Sequence, residues 1–449
     1  MSRGWDNRKS NGDYFTINSR GPKPSLLDED ADFNKFGLDE SLVSHLSEMG
    51  FTKPTVIQAQ AFKPILRGEN CLVAAETGSG KTLSYLVPLV QNICHQKTLL
   101  HGKQPLNAPL AIIITPGREL CNQIAQVCLS LTKSVPVDTV HVTGGHLKQT
   151  MRNMETEQVD ILIGSFGAIS KLTTTMVYNL TRVRYLVLDE ADTLLDDSFN
   201  EKLVHFLRKF SLQMTVPENG AEGVQLILAS ATIPRSAEEI LKDAVPYASF
   251  RKITTAHLHR LLPHVPQKFL RLSHLDKPAK LLELVKRDTN RRLPVIVFSN
   301  KSDRCDWASM FLNENGVSCV SLNGAMSEDL RRNRFTEFIA GKYLVLSCTD
   351  VVSRGLDTVN SHQVINYDVP TNMSDYIHRC GRVGRVGSAH ASGVITTLVC
   401  HPSEADLVQK IEFAARKTAS ELPNVNANFK RIMANREMQK IQKEIAAAA

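Results

Sequence analysis

Short runs rich in Ile, Val and Leu recur along this chain, separated by stretches with helical spacing. They fall at 71–74, 111–115, 139–142, 161–164, 185–188 and 225–229, and again at 294–299, 317–322, 343–348, 363–367 and 393–399. A near-continuous apolar run fits a strand covered on both faces, which is the habit of parallel sheets with helical crossovers. Repeated βαβ units around a mainly parallel sheet are therefore expected. The runs form two series, and 449 residues exceed one ordinary domain. Two tandem α/β domains are predicted, at 33–250 and 269–425. Residues 251–268 hold Pro263 and Pro266, lack periodicity, and read as a linker. Residues 1–32 read as a disordered or extended arm. Residues 426–449 read as a basic helical tail that ends in the alanine run 446–449.

Composition narrows the function classes. The formal net charge of +7 is compatible with a nucleic-acid partner. The nine cysteines form no Cys-x-x-Cys pair, which reads as free thiols in a reducing compartment and argues against a zinc site or disulfide framework. No apolar run approaches the roughly 18 residues of a membrane span. The N-terminus has no apolar core, so it does not read as a secretory signal. Asp6 and Asp13 break what would otherwise resemble a basic presequence.

The string AETGSGKT at 75–82 follows one apolar run and opens a helical pattern at 82–90. That is the setting of a phosphate-cradling loop. Gly78 and Gly80 let the backbone N–H groups of Thr77 and Ser79 turn toward phosphate oxygens. Lys81 reaches the β- and γ-phosphates, and the Thr82 hydroxyl ligates Mg²⁺. The string DEAD at 189–192 ends another run. Asp189 would hold Mg²⁺ at the carboxyl end of its strand, and Glu190 would orient the attacking water. ATP and Mg²⁺ are the implied ligands.

Other strings accompany these. GFTKPTVIQ at 50–58 follows Phe33; a glutamine amide suits the adenine edge, and an aromatic ring can stack on its face. The hydroxyls of Ser230-Ala231-Thr232 could tie their strand end to Asp192. YIHRCGRVGR at 376–385 packs three arginines into seven positions, and such forks suit phosphate. With TPGREL at 115–120, Gly144-Gly145, VIVFS at 295–299 and TDVVSRGLD at 349–357, the ordered set resembles the DEAD-box RNA helicases of superfamily 2 from about residue 33 to 422.

That resemblance implies two RecA-like domains that clamp ATP and RNA between them. It assigns Phe33, Thr55 and Gln58 to adenine, and Asp357 to ribose. It assigns Arg382 and Arg385 to the arginine fingers. Asp192, Ser230, Thr232, His378 and Arg379 couple hydrolysis to strand separation. Arg118, Gly145, Gly167, Thr349 and Arg354 fall on RNA-backbone positions. Three departures stand against the family pattern: Gly117 for Thr, Ser165-Phe166-Gly167-Ala168 for Thr-Pro-Gly-Arg, and Glu328 for Gln in its pair with Arg331. They leave two readings, an ATP-dependent RNA helicase or an ATP-gated RNA clamp with little unwinding. A DNA translocase disagrees with the adenine motif. The implied state is a monomer with no membrane contact, working with ribosomal or other ribonucleoprotein assembly proteins. The continuation Thr193-Leu194-Leu195-Asp196 resembles the mitochondrial ribosome-associated branch, which points to the mitochondrion, with the nucleus, nucleolus or cytoplasm as alternatives.

Overall fold

A computed structural model describes residues 14–17, 27–99, 105–144, 158–195, 200–214, 223–233, 237–256, 258–260, 265–350, 361–384, 393–416 and 422. The chain divides into two compact units. One is built from residues 24–258. The other takes the described residues after 258 together with strand β1 (Tyr14–Ile17).

In the first unit β2 (Cys71–Ala74), β3 (Ala111–Thr115), β4 (Thr139–Val142), β5 (Ile161–Ser165), β6 (Tyr185–Asp189), β7 (Gln225–Ser230) and β8 (Arg251–Thr254) form a parallel sheet. Their spatial order is β4-β5-β3-β6-β7-β2-β8. Successive side chains on a strand point to opposite faces. Val73, Ile113, Ile163, Val187 and Ile227 therefore enter one core, and Leu72, Ile112, Leu162, Leu186 and Leu226 the other. Both faces need apolar side chains, which is why these strands read as unbroken runs. The helices Glu40–Glu48, Val56–Leu66, Lys81–Leu99 and Arg118–Leu131 cover the first core. The helices Phe166–Thr174, Ala191–Leu194, Asn200–Leu207 and Ala237–Leu241 cover the second.

In the second unit β9 (Gln267–Arg271), β10 (Val295–Ser299), β11 (Cys319–Leu322), β12 (Val345–Thr349), β13 (Gln363–Asn366) and β14 (Val394–Val399) follow one another in the chain. The sheet order is β1-β9-β14-β13-β10-β12-β11, parallel except for β1, which runs antiparallel to β9. Helices Asp276–Thr289 and Ser302–Glu314 pack on it through Leu281, Leu284, Ala308 and Leu312.

Two expectations change. The linker at 251–268 shrinks at both ends, because β8 joins the first sheet and β9 the second. Edge strand β8 reads Arg-Lys-Ile-Thr and buries only Ile253, so no apolar run announced it. Within the arm, Tyr14–Ile17 is a strand: Phe15 stacks on Phe269 at 4.8 Å, and Lys268 lies over the Tyr14 ring. The basic tail lies outside the described residues, apart from which no described helix is long and apolar enough to cross a membrane.

The first sheet's order positions the site. β6 and β7 sit between β3 and β2, so the loops after β2, β7 and β6 adjoin at one carboxyl edge. The loops after β3, β5 and β4 continue that same edge.

Candidate active site

The phosphate loop leaves β2 and enters the helix Lys81–Leu99. Gly78 and Gly80 both have left-handed backbones, at φ +82° and +90°. Gly80 has a second reason to be glycine: a Cβ there would fall 2.6 Å from Gln58 Nε2. Gln58 belongs to a capping box on the helix Val56–Leu66. Its N–H donates to Thr55 Oγ1 at 3.4 Å, and Thr55 N–H donates to its Oε1 at 2.9 Å. Gln58 Nε2 then donates to the Gly80 carbonyl at 3.1 Å, fastening the adenine motif to the phosphate loop.

Lys81 Nζ donates to the carbonyls of Ala75 (2.7 Å) and Glu76 (2.9 Å). Burial pushes its pKa down, while the Asp189 and Glu76 carboxylates push it back up. Ser79 Oγ is buried with no hydrogen-bond partner. Thr77 and Thr82 are half-buried.

Asp189 ends β6. Its carboxylate accepts from the Tyr85 hydroxyl and from Glu190 N–H, each at 2.8 Å. Burial pushes its carboxyl up to about 6, against the Tyr85 hydrogen bond that favours the charged form. Glu190 adopts a left-handed backbone, φ +50° and ψ +50°, a conformation that costs a non-glycine residue about 1–2 kcal/mol. Strain of this kind gathers at functional sites. Glu190 Oε2 is buried without a hydrogen-bond partner. Tyr85 was missed at the sequence level; its place one turn beyond Lys81 on the same helix face was the available signal.

Asp192 joins this edge to β7, as the sequence suggested. Its Oδ2 accepts from Thr232 Oγ1 (2.7 Å) and Thr232 N–H (3.1 Å), and Asp192 N–H donates to Ser230 Oγ at 3.3 Å. The Thr255 hydroxyl, just past β8, donates to Glu76 Oε2. No sequence pattern pointed to that residue.

Phe33 requires a correction. It is 3% exposed, with its ring tilted against Phe62 at 6.1 Å, so it is a core residue here with no face open to a base.

Along the rest of the edge, the helices Arg118–Leu131 and Phe166–Thr174 begin side by side, since β3 and β5 are paired with Thr115 opposite Ser165. Neither N-cap, Gly117 or Ser165, offers a side-chain cap bond. Two helix N-termini therefore lie side by side on this edge, a setting that favours anions. A Cβ on Gly144 would fall 2.6 Å from the Arg118 guanidinium, so glycine lets Arg118 lie close to the chain after β4. Gly167 is exposed, whereas Ala168 is 1% exposed and packs into the second core.

In the second unit, Thr349 ends β12 opposite Ser299 of β10. Both hydroxyls are buried without hydrogen-bond partners. The sequence singled out Thr349 and passed over Ser299. Arg379 also requires a correction. All five of its N–H donors are used inside this unit, on Asp350, Asn300, Asn366 and the Asp368 carbonyl, with the guanidinium over the Phe298 ring. It holds its own unit together and has no donor left for a coupling contact. His378 and Arg382 are buried, and Arg382 Nε donates to the His378 carbonyl at 3.2 Å. Gly145, Arg354, Asp357 and Arg385 lie outside the described residues; Glu328 opens the helix Glu328–Ile339.

Comparison with known proteins agrees with this arrangement. Residues 55–240 match the DEAD/DEAH box helicase domain, and residues 276–387 match the helicase conserved C-terminal domain. A human protein described as probable ATP-dependent RNA helicase DDX28 is 36% identical over 446 residues, covering 96% of this chain and 82% of that protein. DEAD-box ATP-dependent RNA helicase 20 of Arabidopsis thaliana is 31% identical, covering 90% and 76%. Among solved structures, Mss116p bound to single-stranded RNA and AMP-PNP superposes with a TM-score of 0.73 at 23% identity, covering 88% of this chain and 80% of that one. S. cerevisiae Dbp5 bound to RNA and ADP BeF3 gives 0.69 at 23% identity, covering 86% and 93%. At that identity the structural likeness shows the fold: two RecA-like α/β domains.

Proposed function

The chain belongs to the DEAD-box family of ATP-dependent RNA helicases, and from that premise we propose how its residues divide the work. The N–H groups of residues 77–80 and the Lys81 ammonium hold the ATP phosphates. Thr82 and Asp189 would hold Mg²⁺. They fit that ion because both are hard oxygen donors, and the Asp189 carboxylate stands at the carboxyl end of β6. Mg²⁺ usually takes one or two protein oxygens and fills its shell with phosphate and water. When bound it supplies positive charge against that developing on the transferred phosphate. Glu190 orients the attacking water through Oε2. Arg382 and Arg385 set guanidinium groups on the transferred phosphate, a contribution of about 10³–10⁵ in rate where such fingers act. Asp357 binds the ribose.

One observation carries this reading. The buried, unpartnered Glu190 Oε2 sits beside an Asp189 that is hydrogen-bonded to the phosphate-loop helix through Tyr85. A buried acceptor left unpaired is costly and suits a site that completes its bonds with substrate.

RNA is held through its backbone by Arg118, the helix starts at Gly117 and Gly167, Gly145, Thr349 and Arg354, with little sequence preference. The working form is a monomer assisted by ribonucleoprotein assembly proteins, located in the mitochondrion; imaging of the tagged chain tests the location. ATP turnover should rise with RNA and not with DNA of the same sequence. Equal rates with either polymer would refute the assignment. A clamp with little unwinding is favoured by the side-chain donors absent at Gly117 and Ala168. It predicts stable RNA binding with a non-hydrolysable analogue but no displacement of a short labelled strand while ATP turns over.

A further inference from the structure

In the second unit the helix Met373–Cys380 leads into Arg382, whose Nε donates to the His378 carbonyl on the last turn at 3.2 Å. The seat of this helix therefore sets the point from which the Arg382 guanidinium extends. Met373, Tyr376 and Cys380 are buried at helical spacing and give the helix one inward face. Two side chains then fix it along the sheet. Arg379 is one, through the bonds to Asp350, Asn300, Asn366 and the Asp368 carbonyl. Tyr376 is the other. Its hydroxyl donates to Gln267 Oε1 of β9, and its ring stacks on that of Phe269, also of β9, at 6.2 Å and 26°.

The stack continues beyond Phe269. Phe15 stands opposite Phe269 in the register of β1 and β9, and the two rings stack at 4.8 Å and 16°. Three buried rings, Phe15, Phe269 and Tyr376, thus run from the edge strand to the helix. Of the four residues of β1 only Phe15 is buried. Tyr14 belongs to the other face of the sheet and is exposed, with Lys268 over its ring. The two aromatic residues of one strand therefore differ in what they reach. Phe15 connects to the helix that carries Arg382, and Tyr14 does not.

We propose that Phe15 is a positioning residue for the arginine finger Arg382. Acting through Phe269 and Tyr376, it holds the helix Met373–Cys380 where the finger can serve the transferred phosphate. The proposal rests on the reading of Arg382 given above. Loss of the Phe15 ring leaves the phosphate loop and adenine motif of the first unit untouched, so ATP affinity should survive. A misplaced guanidinium loses only its interaction with the transition state, so the loss should fall on kcat.

The test is steady-state ATP turnover of the full chain at saturating RNA, across ATP concentrations and below the melting temperature of every variant. A stacked aromatic pair is worth up to about tenfold beyond its buried area. Phe15→Ala should therefore lower kcat by about tenfold, with KM for ATP unchanged. Phe15→Leu keeps most of the apolar volume and loses the ring, so it should fold like the parent and lose about threefold. Tyr14→Ala should match the parent. The same Phe15→Ala change in an Arg382→Ala background should cost nothing more, because the group it positions is gone; a residue that only stabilised the unit would slow both backgrounds alike. The proposal is overturned if both Phe15 variants keep the parent kcat, if the loss appears in KM instead, if Tyr14→Ala loses as much, or if Phe15→Ala slows Arg382→Ala by the same factor. Parent-like turnover by Phe15→Ala beside a slow Arg382→Ala removes this proposal alone. Parent-like turnover by Arg382→Ala removes the finger assignment with it.

Discussion

Replacing Gln58 with Ala separates base reading from loop support. Its amide oxygen accepts one bond, from Thr55 N–H at 2.9 Å, and its nitrogen donates one, to the Gly80 carbonyl at 3.1 Å. A primary amide has two N–H groups and two lone pairs on oxygen, so one of each remains. Adenine presents a matching N6–H donor and N7 acceptor on one edge. Losing the two internal bonds removes about 1 kcal/mol each, so the first unit should lose about 2 kcal/mol of stability. Losing two base contacts of the same size should reduce the preference for ATP over GTP by about 30-fold. Competition titrations with both nucleotides, beside a thermal melt, measure the two effects separately. If the melt shifts while the ATP-to-GTP ratio stays fixed, Gln58 only braces the loop, and the base is read elsewhere.

Thr232→Val removes the 2.7 Å bond to Asp192 Oδ2 but keeps the backbone N–H on the same oxygen. Strand displacement should fall by tenfold or more, about 1.5 kcal/mol at a charged hydrogen bond, while turnover without RNA changes little; paired ATPase and displacement assays check this. Asp368→Asn should destabilise the second unit by about 3 kcal/mol, because it leaves the buried Lys277 without its carboxylate at 3.1 Å. Burial alone would raise the Asp368 pKa, but Lys277, Asn300 N–H and Arg304 hold it below the ordinary carboxylate value. Its contribution is therefore full above about pH 4 and fades as pH falls, so melts of parent and variant should converge in acid. Arg382→Ala should slow ATP turnover by about 10³-fold with nucleotide affinity retained, read beside a melt that separates lost catalysis from lost fold.

The strands that the sequence disclosed share one property: both faces are covered. Val73 and Leu72 belong to opposite cores, so neither could be polar, and the run became visible. Edge strands escape that demand. β8 buries only Ile253, and β1 is held by pairing with β9 and by Phe15 on Phe269, contacts that local periodicity does not encode. The site divides similarly. Lys81, Asp189, Asp192 and Thr232 were legible because their chemistry needs particular atoms at strand ends. Tyr85 and Thr255 act by holding those residues, and a hydroxyl in a supporting role leaves no motif. Phe33 and Arg379 were legible as members of motifs, but their burial and full bonding are tertiary facts.

Glycines distinguish the two halves of the first sheet's edge. On the nucleotide side Gly80 is forced twice, by φ +90° and by the Gln58 amide 2.6 Å from where a Cβ would stand. On the side proposed for RNA, Gly117 has φ −131°, which any residue adopts, and a Cβ there would meet nothing nearer than Glu119 Oε2 at 3.8 Å. Gly167 has no neighbour within 4 Å of its would-be Cβ. Folding therefore constrains the phosphate loop and leaves Gly117 and Gly167 open to change. The departure from the family pattern at Gly117 carries no folding requirement. Its effect falls on what that helix start can offer a ligand, namely backbone N–H groups in place of a side-chain donor. If RNA lies along this edge as proposed, a grip of that kind has fewer directed donors and depends more on diffuse charge, so added salt should weaken it steeply.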